Sequence, residues 1–178
     1  MARDAYCSSC GSAHVVRDRY PRACASCGFT VWSNPIPVIL VLLPVDTGDR
    51  TGLLVIRRAI EPRRGLLGLV GGFLESHEPW PLGGAREVRE EAGVEIDPSS
   101  LAPLWFASTA PDPRQVLLFA LAAPVPLASL PPFRPNAEAS ERGLVFGPDG
   151  LDATFAFPLH VAAVRRWRSS GPADYRTV

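Results

Sequence analysis

Four cysteines in two like pairs set the first constraint on this chain. Cys7 and Cys10 form one C-x2-C turn; Cys24 and Cys27 form a second after thirteen intervening residues, and Gly11 and Gly28 follow the pairs. A C-x2-C turn places two thiolates on one side of an ion, and tetrahedral Zn²⁺ takes four soft ligands. Glycine after the second Cys lets the chain turn back at positive φ and brings backbone N–H groups toward the sulfurs. All four places are Cys, so the site is closed and its expected role is structural. Two disulfides or a redox pair are the competing readings. Disulfides need an oxidising compartment, and a redox pair needs no matching partner. Met1 to Asp4 lead straight into Tyr6 and Cys7 without an apolar leader, so a cytoplasmic protein is expected. His14 is read as ordinary surface.

Residues 1–33 hold all four Cys and little aliphatic material, whereas the chain from Ile36 onward is apolar with Pro and Gly breaks. Asn34-Pro35-Ile36-Pro37 is the seam, stiffened because each residue before a proline is driven toward extended geometry. The expected organisation is a zinc ribbon over 1–33 and a larger domain over 34–178. With 47% hydrophobic residues, the larger part can bury a core. Eighteen basic and eighteen acidic residues cancel, which argues against a coat for nucleic acid or anionic membrane. No apolar run approaches the ~20 residues of a membrane span.

Beyond the seam, Val38–Leu43 reads as a buried strand and Leu53–Ile56 as its hairpin partner across the turn at Asp46–Asp49. Leu66–Phe73 is Gly-rich and apolar, and 79–92 reads as a helix. Further strands are expected at Val94–Ile96, Leu104–Ala107, Val116–Leu121 and Leu144–Phe146, with a closing helix at Pro158–Trp167. There Leu159, Val161, Ala162 and Val164 are the apolar positions. Interleaved strands and helices make the class α/β or α+β. The Pro-rich stretch 124–135 is read as a loop.

The helix at 79–92 carries the chemistry. Glu87, Glu90 and Glu91 stand at i, i+3 and i+4, so their carboxylates leave one side of it. Leu82, Ala85, Val88 and Ala92 form a separate stripe that can face the core. Like charges at this spacing repel, and a hard cation with a taste for oxygen, such as Mg²⁺, reverses the sign. Pro79 suits the first turn, and Gly93 suits the position past the end. A solvated acidic face would explain the carboxylates, but not the placing of the glycines and Arg86.

The run Gly72-x5-Glu78-x7-Arg86-Glu87-Val88-x-Glu90-Glu91-x-Gly93-Val94 resembles the box of the Nudix hydrolases. It fills the seven invariant places and both aliphatic ones without a gap. The resemblance implies a mixed β-sheet sandwiched between helices. It also implies a Mg²⁺-dependent (or Mn²⁺-dependent) hydrolase. Carried over place by place, it gives Glu90 and Glu91 the divalent ion, and makes Glu87 a further ligand or the handler of the attacking water. Arg86 orients Glu87 or a neighbouring carboxylate, Glu78 supports the metal shell, and the Gly71 carbonyl is another ligand. A second acid often comes from a later loop; Glu138 and Glu141 are the candidates, with Glu138 preferred.

Some positions depart from the commonest family text. Leu67 and Val70 stand where Trp and Pro are usual, His77 where Gly is usual, and Gly83 and Gly84 weaken the early helix by ~1 kcal/mol each. A four-Cys ribbon joined to such a domain resembles the branch of NADH pyrophosphatases and ADP-ribose pyrophosphatase-like proteins. The substrate class implied is a nucleoside diphosphate linked to another group, such as ADP-ribose or an NAD(H)-like dinucleotide. The NADH enzymes carry a signature after the box that Glu78-Pro79-Trp80-Pro81 only echoes from inside it, so NADH specificity is not carried over. Arg57, Arg58, Arg63 and Arg64 flank the expected cleft and could meet phosphates. Trp105 and Phe106 could stack a base or pack the core. Two further readings stay open. One is an idle domain that binds a nucleotide or a partner. The other is RNA binding through the ribbon, where Arg3, Arg17, Arg19 and Arg22 are offset by Asp4 and Asp18 and only Tyr6 and Tyr20 could stack. The family resemblance also admits a homodimer.

Overall fold

The computed structural model describes residues 5–16, 19–147, 150–167 and 175–178. Its contacts divide the chain into two units, Met1–Pro35 and Ile36–Val178, and the boundary falls within the Pro-rich seam.

In the first unit, strands β1 (Arg22–Ala23) and β2 (Thr30–Val31) pair antiparallel, and Tyr6 bridges to Ala13. Both cysteine turns close alike. Gly11 N–H donates to the Cys7 carbonyl at 2.9 Å, and Gly28 N–H to the Cys24 carbonyl at 2.9 Å. Both glycines stand near φ +75°, at 74° and 75°, where a Cβ is penalised.

The second unit contains β3 (Ile36–Leu42), β4 (Pro44–Asp46), β5 (Thr51–Arg58), β6 (Leu67–Gly68), β7 (Val70–Phe73), helix α1 (Trp80–Ala92), β8 (Ala102–Ser108), β9 (Gln115–Leu121), β10 (Val125–Pro126), β11 (Ala139–Val145), helix α2 (Pro158–Arg166) and β12 (Tyr175–Thr177). One mixed sheet runs β7-β3-β9-β8, with β3 parallel to β9. The other runs β10-β4-β5-β11-β12, and β6 also pairs with β5. Strands alternate their side chains between two faces, and here each face has its own helix. Ile39, Val41, Leu54 and Ile56 pack with Val88 and Ala92 of α1. Leu40, Leu42, Leu53 and Val55 pack with Val161, Ala163 and Val164 of α2. Among the described residues, no helix is long and apolar enough to cross a membrane.

The chain changes sheet twice, and this alters the expected hairpin. The aliphatic run beginning at Val38 breaks at Leu43, so β3 joins one sheet while β4 turns back on β5 in the other. The Gly-rich stretch breaks likewise at Leu69, between β6 and β7. A break in a ladder leaves backbone groups seeking partners. At Leu69 the N–H donates to Nδ1 of His160, 3.1 Å away. Burial, with Arg58 nearby, holds His160 far below the usual histidine range, at about 3. A neutral ring keeps Nδ1 free to accept that bond.

Other expectations are corrected. Val94–Ile96 is not a strand: the Val94 N–H returns to the Val88 carbonyl at 3.4 Å to close the helix end, and Asp97 then starts a 3-10 turn. The core stripe of α1 is Gly84, Val88 and Ala92 flanked by Glu87 and Glu91, while Leu82 is exposed. Gly84 explains the rotation, because a Cβ there would stand 2.9 Å from Leu101 Cδ1 and 3.1 Å from Val41 Cγ2. The glycine that weakens the isolated helix lets it lie close against β3. On α2, His160 and Ala163 join Val161 and Val164 among the buried residues, and Leu159 packs partly buried beside them. The stretch 124–135 contains β10, and β12 adds an unforeseen edge strand to β11.

Candidate active site

Helix α1 delivers Glu87, Glu90 and Glu91 to one cleft. The cleft measures about 180 Å³ and is lined by Glu87, Glu90, Glu91, Asn136, Ala137 and Glu138. The strand before the helix is shaped to the same place. Gly71 sits at φ 147°, and a Cβ there would strike the Ile39 carbonyl oxygen at 2.0 Å. Its N–H donates to Glu91 Oε2 at 2.8 Å. A Cβ on Gly72 would come within 2.5 Å of the Glu87 carboxylate.

Arg86 organises the acids. Its Nε and Nη2 donate to the two oxygens of Glu78 at 2.8 and 3.0 Å. Its Nη1 donates to Glu87 Oε1 at 2.8 Å and to Glu90 Oε2 at 3.1 Å, and Nη2 also reaches the Phe73 carbonyl. This fork geometry favours arginine over lysine. The Arg86 pair holds the Glu78 carboxyl below its usual range.

Glu87 and Glu91 are both buried. Burial raises the Glu87 carboxyl despite Arg86 beside it, with Glu90 and Glu138 adding repulsion. Burial likewise pushes Glu91 up to about 8, opposed by the Gly71 N–H and reinforced by Glu87 and Glu138. Two desolvated carboxylates beside two more form a donor set suited to a hard cation. Among the described residues, only the four cysteines bring three or more ligand atoms within 4.8 Å of one another. The α1 acids are less tightly gathered, with Arg86 between Glu87 and Glu90 and with Gly71 holding Glu91.

A test of this electrostatic strain follows from its sign. Pushed up to about 8 by burial, Glu91 keeps its proton in the folded chain across neutral pH, whereas an unfolded glutamate loses it near the ordinary 4.5. Stability from this group is therefore complete below that lower value and disappears as pH rises toward 8. Between about pH 6.5 and 8.5, zinc-loaded protein without added divalent cation is expected to lose ~1–3 kcal/mol, a loss that Mg²⁺ opposes. His160 is neutral in the folded chain throughout this window; its unfolded form finishes losing a proton near pH 6.5–7.5, a small gain in stability with pH that opposes the Glu91 loss. Thermal unfolding of wild type and Glu91→Gln across that window checks it: the variant's curve should be flatter.

The two later acids separate. Glu138 lines the cleft. Glu141 stands on β11 opposite Arg57, accepting from Arg57 Nε at 3.2 Å and Thr177 Oγ1 at 3.0 Å. Arg57 also donates to the Gly65 carbonyl, and Arg58 donates to the Pro62 carbonyl and lies 5.1 Å from the Phe157 ring. Trp105 stacks on Phe119 at 5.0 Å and lies 3.8 Å from the Arg166 guanidinium. It packs with the α2 layer, on the sheet face opposite α1, so base stacking beside the carboxylates is not its place. Phe106 is 72% exposed. His77, at φ 68°, occupies a backbone conformation that suits glycine.

In the first unit, Cys7 and Cys27 Sγ lie 3.7 Å apart, as do Cys10 and Cys24 Sγ, and no disulfide joins them. Sulfurs at ~2.3 Å from a tetrahedral zinc stand about 3.8 Å from each other, so the four thiols fit that ion. Ser12 lowers the Cys10 thiol to about 6 through its hydroxyl and its backbone N–H. Arg22 is buried, its guanidinium 4.6 Å from the Tyr20 ring and bonded to the Tyr20 hydroxyl, which removes it from any RNA-facing patch. Arg3, Asp4, Arg17 and Asp18 lie outside the described residues.

Asn136 was missed from sequence, although an Asn two residues before an acid in a Pro-rich loop is a turn signal.

The NUDIX domain family matches residues 35–166. The NAD-capped RNA hydrolase NudC of Stutzerimonas stutzeri is 32% identical over 120 residues, which is 66% of this chain and 40% of that protein. NudC of Deinococcus radiodurans is 33% identical over 94 residues, 51% of this chain and 32% of that one. The chain thus spans two fifths or less of these relatives' length. The crystal structure of a NUDIX hydrolase from Nitrosomonas europaea is similar with a TM-score of 0.68 and 26% identity, covering 91% of this chain and 89% of that one. The NUDIX domain of Shewanella oneidensis NrtR, complexed with ADP ribose, shares the fold at TM-score 0.63 and 17% identity, over 77% of this chain and 88% of its own. Since the matched stretch begins in the seam and ends with α2, taking in the acidic helix and every strand of the second unit but the last, the chain belongs to the NUDIX family.

Proposed function

We propose that this protein is a Mg²⁺- or Mn²⁺-dependent pyrophosphatase that cleaves a nucleoside diphosphate linked to another group, ADP-ribose or an NAD(H)-like dinucleotide first among them. The observation that carries the reading is the convergence of Glu87, Glu90 and Glu91 with Glu138 on one cleft. NAD-capped RNA joins the substrate class because the relatives are named for it.

A diphosphate resists attack because it is anionic. When bound by Glu87, Glu90 and Glu91, with the Gly71 carbonyl beside them, a divalent cation would supply neutralising charge and acidify a water. Glu138 is then the base that takes the proton of the attacking water. Arg86 keeps Glu87 and Glu90 oriented, and Glu78 keeps Arg86 in place. The remaining work is alignment for in-line displacement at phosphorus. Cys7, Cys10, Cys24 and Cys27 would hold a structural zinc in the first unit.

The test is incubation with ADP-ribose, NADH, NAD-capped RNA and nucleoside triphosphates, each with Mg²⁺, Mn²⁺ or neither, and products identified by mass. A nucleoside monophosphate and the other phosphate-bearing half are expected, only with the ion present. Binding of a nucleotide without any product under every condition would overturn the reading in favour of an idle binding domain.

A further inference from the structure

We propose that Asn136 is the positioning residue that fixes Glu138 against the carboxylates of α1, an inference resting on the hydrolase reading above. One side-chain amide spans two segments far apart in sequence. Its Nδ2 donates to the Glu90 carbonyl at 2.9 Å and the Glu91 carbonyl at 3.2 Å. Its Oδ1 accepts from the Glu138 N–H at 2.9 Å and the Ala139 N–H at 2.8 Å. Both donors and both acceptor positions of the amide are thereby used. The amide orientation is fixed by the partners, since exchanging O and N would face carbonyl with carbonyl and N–H with N–H.

The two halves do different work. The Oδ1 bonds, with the Asn136 N–H to the Ala139 carbonyl at 2.9 Å, fold the 136–139 turn that presents Glu138. The Nδ2 bonds tie that turn to the two residues whose carboxylates share its cleft. They also fill carbonyls at the helix end that have no partner within the helix. Gly93 N–H takes the Arg89 carbonyl and Arg142 takes that of Ala92 at 2.8 Å. The end of α1 is thus held by residues flanking Glu138 on both sides. Aspartate matches the shape of asparagine but cannot donate, and serine is too short to span both segments.

The test compares Asn136→Ala and Asn136→Asp with wild type, each alone and with Glu138→Gln, on the substrate that wild type turns over best. Both single variants should lower kcat about 10- to 100-fold with little change in KM, as outer-sphere partners do. Aspartate should fail although it can still fold the turn. In the Glu138→Gln background the Asn136 substitutions should cost less than about threefold, because their effect passes through Glu138. Full multiplication of the two losses, or an Asn136→Asp enzyme as fast as wild type, would overturn the proposal. Thermal unfolding near that of wild type separates mispositioning from collapse. Wild type inactive on every substrate would instead refute the hydrolase reading itself, and this inference with it.

Discussion

Glu91→Gln is expected to abolish turnover while leaving the fold standing. Glu91 is 5% exposed, and its carboxylate accepts the Gly71 N–H at 2.8 Å. Glutamine retains an oxygen able to accept that bond, so the strand and helix keep their tie. Only the charge is lost. That carboxyl is costly to ionise where it is buried, and the protein still places it beside Glu87, with Glu138 close enough to be felt. A loss in kcat of about 10²-fold or more is expected, the scale of one pre-organised charge in a water-poor site. Thermal stability should hold or rise near pH 8. Steady-state kinetics at saturating Mg²⁺, alongside a melting curve, check both halves. Glu141→Gln is the control: from β11 its carboxylate faces Arg57 of β5 and Thr177 of β12, and a surface pair of this kind carries ~0.2–1 kcal/mol. A fully active Glu91→Gln enzyme would remove α1 from the chemistry.

The contrast between those two glutamates marks how far the sequence could be read. Spacing alone put Glu87, Glu90 and Glu91 on one side of a helix, because helical periodicity is local. It could not separate Glu138 from Glu141, because strand β11 begins between them and nothing nearby announces where the turn ends. Strand positions were legible as apolar runs, but the sheet switches at Leu43 and Leu69 were not: a run that continues through a break looks the same as one that does not. Gly84 read as a helix weakness because its reward, close approach to Val41 and Leu101, lies in distant partners. For Trp105 and Arg22 the two readings stayed open for a related reason. An aromatic ring or a guanidinium serves a ligand or the interior with equal chemistry, and here Phe119 with Arg166, and Tyr20, are the partners.

The first unit poses a sharper problem of stability, and Cys24→Ser should expose it. Each of its two paired strands has only two residues. Its larger apolar side chains face outward: Tyr6 is 61% exposed, Val15 86% and Trp32 65%. Cys7 and Cys24 are instead the buried apolar side chains there, at 2% and 3%. Fewer than about 40 residues seldom sustain a core without disulfides, metal or oligomerisation, and these cysteines form no disulfide. The zinc proposed for the four cysteines would supply what apolar burial does not, since structural zinc contributes ~10–16 kcal/mol in small domains of this kind. Serine at position 24 takes one thiolate from the set of four and leaves a hydroxyl that is a poor zinc ligand at neutral pH. The expected result is loss of the single bound zinc and of amide protection across residues 5–33, read by metal analysis and hydrogen exchange. The second unit should keep its melting transition, because both of its apolar clusters draw on residues from Val38 onward. Chelation of wild type should reproduce the same pattern. Protected amides in a zinc-free first unit would mean that its hydrogen bonds alone hold the turns, and coordination would then follow folding rather than cause it.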